Sequence, residues 1–278
     1  MTQKSIWFHI VLWLAVFGLA PVPADAMRVS PMVAELSTTG VGSAARIEVG
    51  NIGSAPLPFE TRITELSVGP DGEFVETPAD DNFLIFPPQG VVPVNGRQVV
   101  RVQWVGEGQI DTSKAYYLWV RQLPVSTNVE GPAEEGTASV SVQVLYTMKA
   151  LIVVAPEGAR PDVQVVSARV VEIAAPEPEI DPDLAAEEAA APVPVVPTPG
   201  VEVIVRNDGN RYALMSGATW IIEGTGLDGQ PLTQTLTSGD VAASVGVGYL
   251  APDGTRTFEI PATTPFDPAR PVKVRFAR

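Results

Sequence analysis

From residue 27 onward the chain alternates apolar and polar positions with a period of two. ARIEV (45–49), RQVVRVQW (97–104), AYYLWVRQL (115–123) and VEVIVR (201–206) each place apolar side chains on one face and mostly polar ones on the other. Between such runs stand NIGS, GPDG, NDGN, GLDG and APDG, whose Gly, Asn, Asp and Pro reverse a chain. Helical periodicity is almost absent. The pattern predicts an all-β protein made of short strands joined by turns. RIEVGNIGSAPLPF (46–59) and VEVIVRNDGNRYAL (201–214) both run an alternating strand into an Asn-x-Gly turn and then a second apolar segment. This similarity points to two β-domains of like build in tandem. The expected boundary lies at APEGAR (155–160), giving domains at 27–157 and 158–278.

The first 26 residues follow a different pattern. A short basic start, MTQK, precedes an apolar run from Ile6 to Ala20 and small residues at Ala24 and Ala26. That order is expected of a secretory signal cleaved before Met27. The run is short for a membrane span, which needs about 20 apolar residues. No later segment approaches that length, so no membrane insertion of the mature chain is expected. Cleavage would remove 26 of 278 residues, leaving 252, and would take away His9, the single histidine.

Composition then narrows the chemistry. The chain has no cysteine, so the mature form would carry neither His nor Cys. That excludes Ser-His-Asp and Cys-His catalysis and zinc sites of the usual ligand sets, so no metal is expected. Disulfides are excluded as well. The net charge of −14, with few basic clusters, argues against a nucleic-acid partner. No nucleophile elbow or phosphate loop is present. The acidic pairs Asp80-Asp81 and Glu134-Glu135 lie in polar, loop-like stretches and read as surface charge. The expectation is a non-enzymatic binding protein without a cofactor.

One segment fits neither domain. Residues 174–200 hold seven prolines, six acids and no base. Prolines lack the N–H that a sheet interior needs, and unpaired acids resist burial, so this stretch is expected to be a solvated insert in the second domain.

The most unusual strand signal is TASVSVQVLYTMKALIVV (137–154), 18 residues without Gly or Pro and with one charge, Lys149. Val140, Val142 and Val144 alternate with small polar residues. One reading is an edge strand that packs its valines on its own core. The other is an edge left open for strand addition, in which a partner pairs with the strand and meets its alternate side chains. Lys149 lies at an odd offset from the three valines and so faces the opposite way. It reads either as a lysine whose ammonium snorkels to water or as an anchor for an anion, a carboxylate by preference.

These residues resemble the periplasmic pilus chaperones of the chaperone–usher pathway, the PapD-like proteins. RVSPMVAELSTTGVGSAARIEVGN (28–51) looks like the family's first hairpin, and FPPQGVVPVNGRQVVRVQW (86–104) like its Pro-Pro, Pro-x-x-Gly and Val-Arg-Val run. AYYLWVRQLPV (115–125) is similar to its F strand, and 137–154 falls where the family keeps its G strand. The resemblance implies two immunoglobulin-like sandwiches set at an angle with a cleft between them. It implies a periplasmic protein that lends its G strand to incomplete pilus subunits and hands them to an outer-membrane usher. Val140, Val142 and Val144 would be the donor-strand residues, and Lys149 would anchor the subunit's C-terminal carboxylate. Three departures stand out. The family's first-strand arginine falls near Val33, where the chain reads SPMVAEL. The arginine that follows the lysine is missing from KALIVVAP, and Trp119 stands where asparagine is common. Arg28 and Arg121 are the candidates for a second anchor. The alternative function is a secreted structural or adhesive Ig-like protein that captures no subunit.

Overall fold

The structure is a computed structural model that describes residues 27–68, 73–124, 144–174 and 197–277. Among the described residues it is all-β apart from one short helix and three single 3-10 turns. In the first half, β1 (Met27–Ser30), β3 (Ala44–Asn51), β8 (Arg97–Trp104) and β6 (Phe83–Phe86) form one sheet in the order β1-β3-β8-β6. The second sheet runs β2 (Val33–Ser37), β10 (Thr147–Ala155), β9 (Lys114–Gln122), β4 (Leu57–Val68) and β5 (Phe74–Pro78), with β7 (Gln89–Val92) also paired to β4. The first strand thus changes sheets after Ser30, and β2 joins β10 in parallel. The inward residues of both sheets form one core. Val29, Ile47, Phe59, Ile63, Tyr116, Leu118 and Ile152 are all buried in it, as period-two alternation requires.

The second half has its own core around Trp220, Phe258, Phe266 and the Val201-Val203-Val205 row. One sheet is β11 (Val163–Ile173), β12 (Thr198–Asn207) and β17 (Thr255–Pro261). The facing sheet is β15 (Pro231–Leu236), β14 (Thr219–Thr225) and β18 (Lys273–Ala277), and a two-residue ladder joins β13 (Ala213–Leu214) to β16 (Tyr249–Leu250). Helix α1 (Ser238–Val245) starts on a capping box in which Thr237 and Asp240 bond each other's backbone, so its first turn leaves fewer orphan donors. The expected insert at 174–200 is shorter at its end. Thr198, Pro199 and Gly200 belong to β12, and Thr198 pairs with Ile173. Residues 175–196 lie outside the described residues, and their two flanks are hydrogen-bonded neighbours.

The internal similarity seen in sequence has an atomic counterpart. Asn51 closes β3 and Asn207 closes β12, both buried. Each accepts from the glycine two residues on, Gly53 or Gly209, and each donates to the carbonyl four residues on, Ala55 or Arg211. Each also donates to a distant carbonyl, Val92 or Ala251, at the start of a tight turn. Those turns end in Gly96 and Gly254, whose carbonyls accept from the backbone N–H groups of the same two asparagines. Asn95 and Asp253, the residues before these glycines, both sit at positive φ, which Asn and Asp tolerate better than branched residues do.

The two halves meet on the outer face of the β2-β10-β9-β4-β5 sheet. Leu66, Ala115, Leu151 and Val153 pack there against Tyr212 and Tyr249, whose rings stack with centroids 6.0 Å apart. Polar groups rim the contact. Glu35 accepts from Arg211 Nη2 at 2.5 Å and from the Tyr212 hydroxyl at 2.6 Å. Ser113 accepts from Tyr212 N at 2.8 Å and donates its own N–H to Asn210 O at 3.0 Å.

Candidate functional site

Strand register builds a charged cluster beside that interface. Lys149 on β10 stands opposite Trp119 on β9, which stands opposite Arg62 on β4. The next row is Thr147, Arg121 and Glu60, and the row on the other side is Leu151, Tyr117 and Thr64. Cross-strand partners share a face, so all nine side chains leave the sheet on the side turned to the second half. Leu151 is buried under Tyr212 and Tyr249, whereas the Lys149 side chain keeps 38% of its surface.

The lysine is well compensated. Its ammonium lies 3.7 Å from the Trp119 ring centroid and 5.5 Å from that of Tyr117, and Arg62 sits 4.5 Å from the same indole. Cations over an indole face are attracted by its quadrupole. Lys149 Nζ also donates to Glu76 Oε1 at 2.7 Å. The second oxygen of Glu76 accepts from Thr64 Oγ1 at 2.6 Å and from Trp119 Nε1 at 2.9 Å. Burial alone would raise the pKa of Glu76, but hydrogen bonds from Lys149, Thr64 and Trp119 outweigh it and hold the carboxyl below its usual range. Chemically this is a carboxylate site with one cationic and two neutral donors.

The sequence-based candidates fall unevenly around it. Val144 is described and is exposed, while Val140 and Val142 lie outside the described residues. Of the strand expected over 137–154, residues 137–143 lie outside the described residues, and the rest forms a ladder from Thr147 to Ala155. Within it the even-numbered side chains face the first core. Burial fades along that face: Ile152 and Ala150 are fully buried, Met148 and Tyr146 half-buried, and Val144 keeps 61% of its surface. β2 covers the outer edge of β10 only from Leu151 onward. Among the described residues no strand pairs with Thr147–Ala150 on that side. Leu151 N donates across it to Met32 O at 2.8 Å, so by alternation the N–H and C=O of Lys149 and Thr147 point to the same open edge.

Arg121 shares the face of Lys149 and pairs with Glu60 at 3.6 Å. Arg28 does not come near the cluster. It lies on β1 in the opposite sheet, between inward-facing Met27 and Val29, and pairs with Glu48 at 3.2 Å on the outer side. Val33 is apolar and packs on the interface cluster, so that position supplies no cation. Sequence reading missed Glu76, Thr64 and Arg62. The alternation E-T-R-I-T in β4 does signal that Glu60, Arg62 and Thr64 share a face, but nothing in the sequence sets β5 against them. Among the described residues no group of three His, Cys, Asp or Glu side chains is placed to hold a metal ion, and no helix is long and apolar enough to cross a membrane.

No family model matches the chain, and no curated protein matches it in sequence. Among solved structures it is similar to the class 5 fimbriae chaperone CfaA, with a TM-score of 0.50 at 10% identity over 91% of this chain and 92% of that one. The E. coli chaperone DraB aligns over 91% of this chain and 97% of its own, at 13% identity and a TM-score of 0.48. A chain of the Salmonella enterica SafA pilin–SafB chaperone complex aligns over 87% and 86%, at 14% identity and a TM-score of 0.46. The likeness to CfaA extends to the fold alone: the two β-sandwiches described above follow the architecture of that structure.

Proposed function

We propose that this protein is a periplasmic chaperone of pilus subunits, a divergent PapD-like protein that captures its clients by strand addition. One observation carries the reading. Beside a lysine on the face turned to the second half, the strand β10 presents an edge that no strand among the described residues pairs, and its alternating apolar side chains run out from over their own core toward Val144. An open edge of this kind is normally blunted, and its retention fits use as a template. In this account a subunit strand pairs with Thr147 and Lys149. Its groove takes Val144 and, further out, Val142 and Val140, and its C-terminal carboxylate reaches Lys149. Delivery to an outer-membrane usher follows from the same reading. No catalytic step and no cofactor is required, because hydrogen bonds and apolar burial supply the affinity.

Co-expression with a pilus subunit encoded in the same genome tests this. Wild-type protein should co-purify with the subunit, and Val142→Asp should lose it while melting like the wild type, because that valine faces the client. A Val142→Asp variant that unfolds would place the valine row in a private core. Wild-type protein that retains no subunit would favour a structural or adhesive role.

A further inference from the structure

The strongest unexplained feature is that the proposed carboxylate anchor already holds a carboxylate. Every oxygen of Glu76 is occupied, Oε1 by Lys149 Nζ at 2.7 Å and Oε2 by Thr64 Oγ1 at 2.6 Å and Trp119 Nε1 at 2.9 Å. The Trp119 N–H lies within 3.1 Å of the Thr64 hydroxyl as well, so the two neutral donors converge on one point. The strand that carries Glu76 is loosely tied. β5 is the outermost strand of its sheet, paired on one side only, and its four other residues are exposed. Glu76 itself belongs to neither sandwich core, and it stands opposite Leu66 of the interface cluster.

We infer that Glu76 is a resident stand-in for the client's terminal carboxylate: Lys149, Thr64 and Trp119 form a three-donor carboxylate receptor, and Glu76 must vacate it when a subunit binds. This rests on the chaperone reading and adds the identity of the receptor and a competitor built into the chain. It also accounts for the missing first-strand arginine, because the indole N–H and a hydroxyl provide the donors that a second cation would have provided. Trp119 then has two roles, lending its ring to the ammonium and its N–H to the anion. Client binding exchanges one carboxylate for another on the same donors. The net gain is small, and the contact is readily reversed at release.

The test uses the purified protein and two synthetic peptides, a nonapeptide of alternating valine and threonine with a free C-terminal carboxylate and the same peptide ending in an amide. Binding is read by titration calorimetry and by the Trp119 indole N–H resonance. Glu76→Gln and Glu76→Ala are both made, the first keeping the side-chain shape, and each is checked by its melting curve. Both should bind the carboxylate peptide about tenfold or more tightly than the wild type, with the amide peptide unchanged and the Trp119 resonance moving only with the carboxylate. Lys149→Ala should lose the preference for carboxylate. If the Glu76 variants bind the carboxylate peptide no better than the wild type while Lys149→Ala still abolishes the preference, Glu76 merely orients the lysine and the stand-in is wrong. If none of the proteins prefers carboxylate over amide, the lysine anchors nothing, and the chaperone reading falls together with the inference.

Discussion

Lys149 is accommodated in an otherwise apolar strand because an indole, a phenol ring and a carboxylate surround its ammonium. With more than a third of its side chain in solvent, its contribution to folding is small, so Lys149→Ala should melt near the wild type. Its contribution to binding is a different matter. The client's carboxylate takes the place of Glu76 on the same ammonium, so what Lys149→Ala removes is only the difference between the two contacts, and subunit affinity should fall about 3- to 10-fold. The reverse applies to Asn51 and Asn207, which are distant from the cluster and buried at the ends of twin strands. Replacing either by alanine removes a donor from two buried or part-buried carbonyls and an acceptor from a glycine N–H, and at Asn207 from the Asp162 N–H as well. Denaturant unfolding should show a loss of about 2–4 kcal/mol for each. The lysine and both Asn-x-Gly turns were legible in the sequence, the one as a charge out of place and the others as a repeated turn. Glu76 was not, because its contact depends on how a strand 73 residues away is seated across three others, and alternation reports the face of a side chain but not its lateral neighbour.

At the scale of elements, the same limit explains where strand reading succeeded. Period-two runs found β8 and β9 to within a residue at each end and the middles of β3 and β12, since each has one face on a core. The run 137–154 is equally alternating, and within its described part, 144–154, the ladder begins at Thr147, because pairing depends on where the neighbouring strands end. That makes the first turn of pairing on β10 a sensitive place to intervene. Thr147 points its N–H to the open edge, whereas Met148 directs its own to β9. Thr147→Pro should therefore leave unfolding within about 1 kcal/mol of the wild type while weakening subunit capture about 3- to 10-fold, the worth of one hydrogen bond. Met148→Pro should destabilise the protein outright. Equal loss of stability in both variants would mean that the edge at Thr147 is already paired. Of the acidic, proline-rich stretch at 174–200, residues 175–196 lie outside the described residues, and Thr198–Gly200 continue a strand despite Pro199. Protease is expected to cut between Ala174 and Thr198 first. The fragments should stay together on a native column, because β11 and β12 are paired from Ile173 and Thr198 onward.

For the whole molecule, the placement of the two halves decides whether the cluster can work, and one tyrosine holds much of that placement. Burial, with the Glu35 carboxylate beside it, pushes the Tyr212 hydroxyl up to about 12 from an ordinary value of 10.0. A raised folded-state pKa stabilises fully below the unfolded value and is lost as pH rises through the folded one. The stability advantage of wild type over Tyr212→Phe should thus be constant up to about pH 10 and disappear toward about pH 12, as denaturation at stepped pH will show. Neither the pairing of Glu35 with Arg211 and Tyr212 nor the Tyr212–Tyr249 stack could be read from sequence, since each joins residues from different halves or distant turns. The central claim is that a client adds a strand at the open edge beside Lys149, and backbone amide exchange at Thr147 and Lys149 tests it most directly. In the isolated protein these two amides should exchange fast while Met148 and Ala150, bonded to β9, are protected. In the complex with a pilus subunit both should slow by at least tenfold. Amides that are already protected in the isolated protein, or that exchange at the same rate in the complex, would contradict strand addition at this edge.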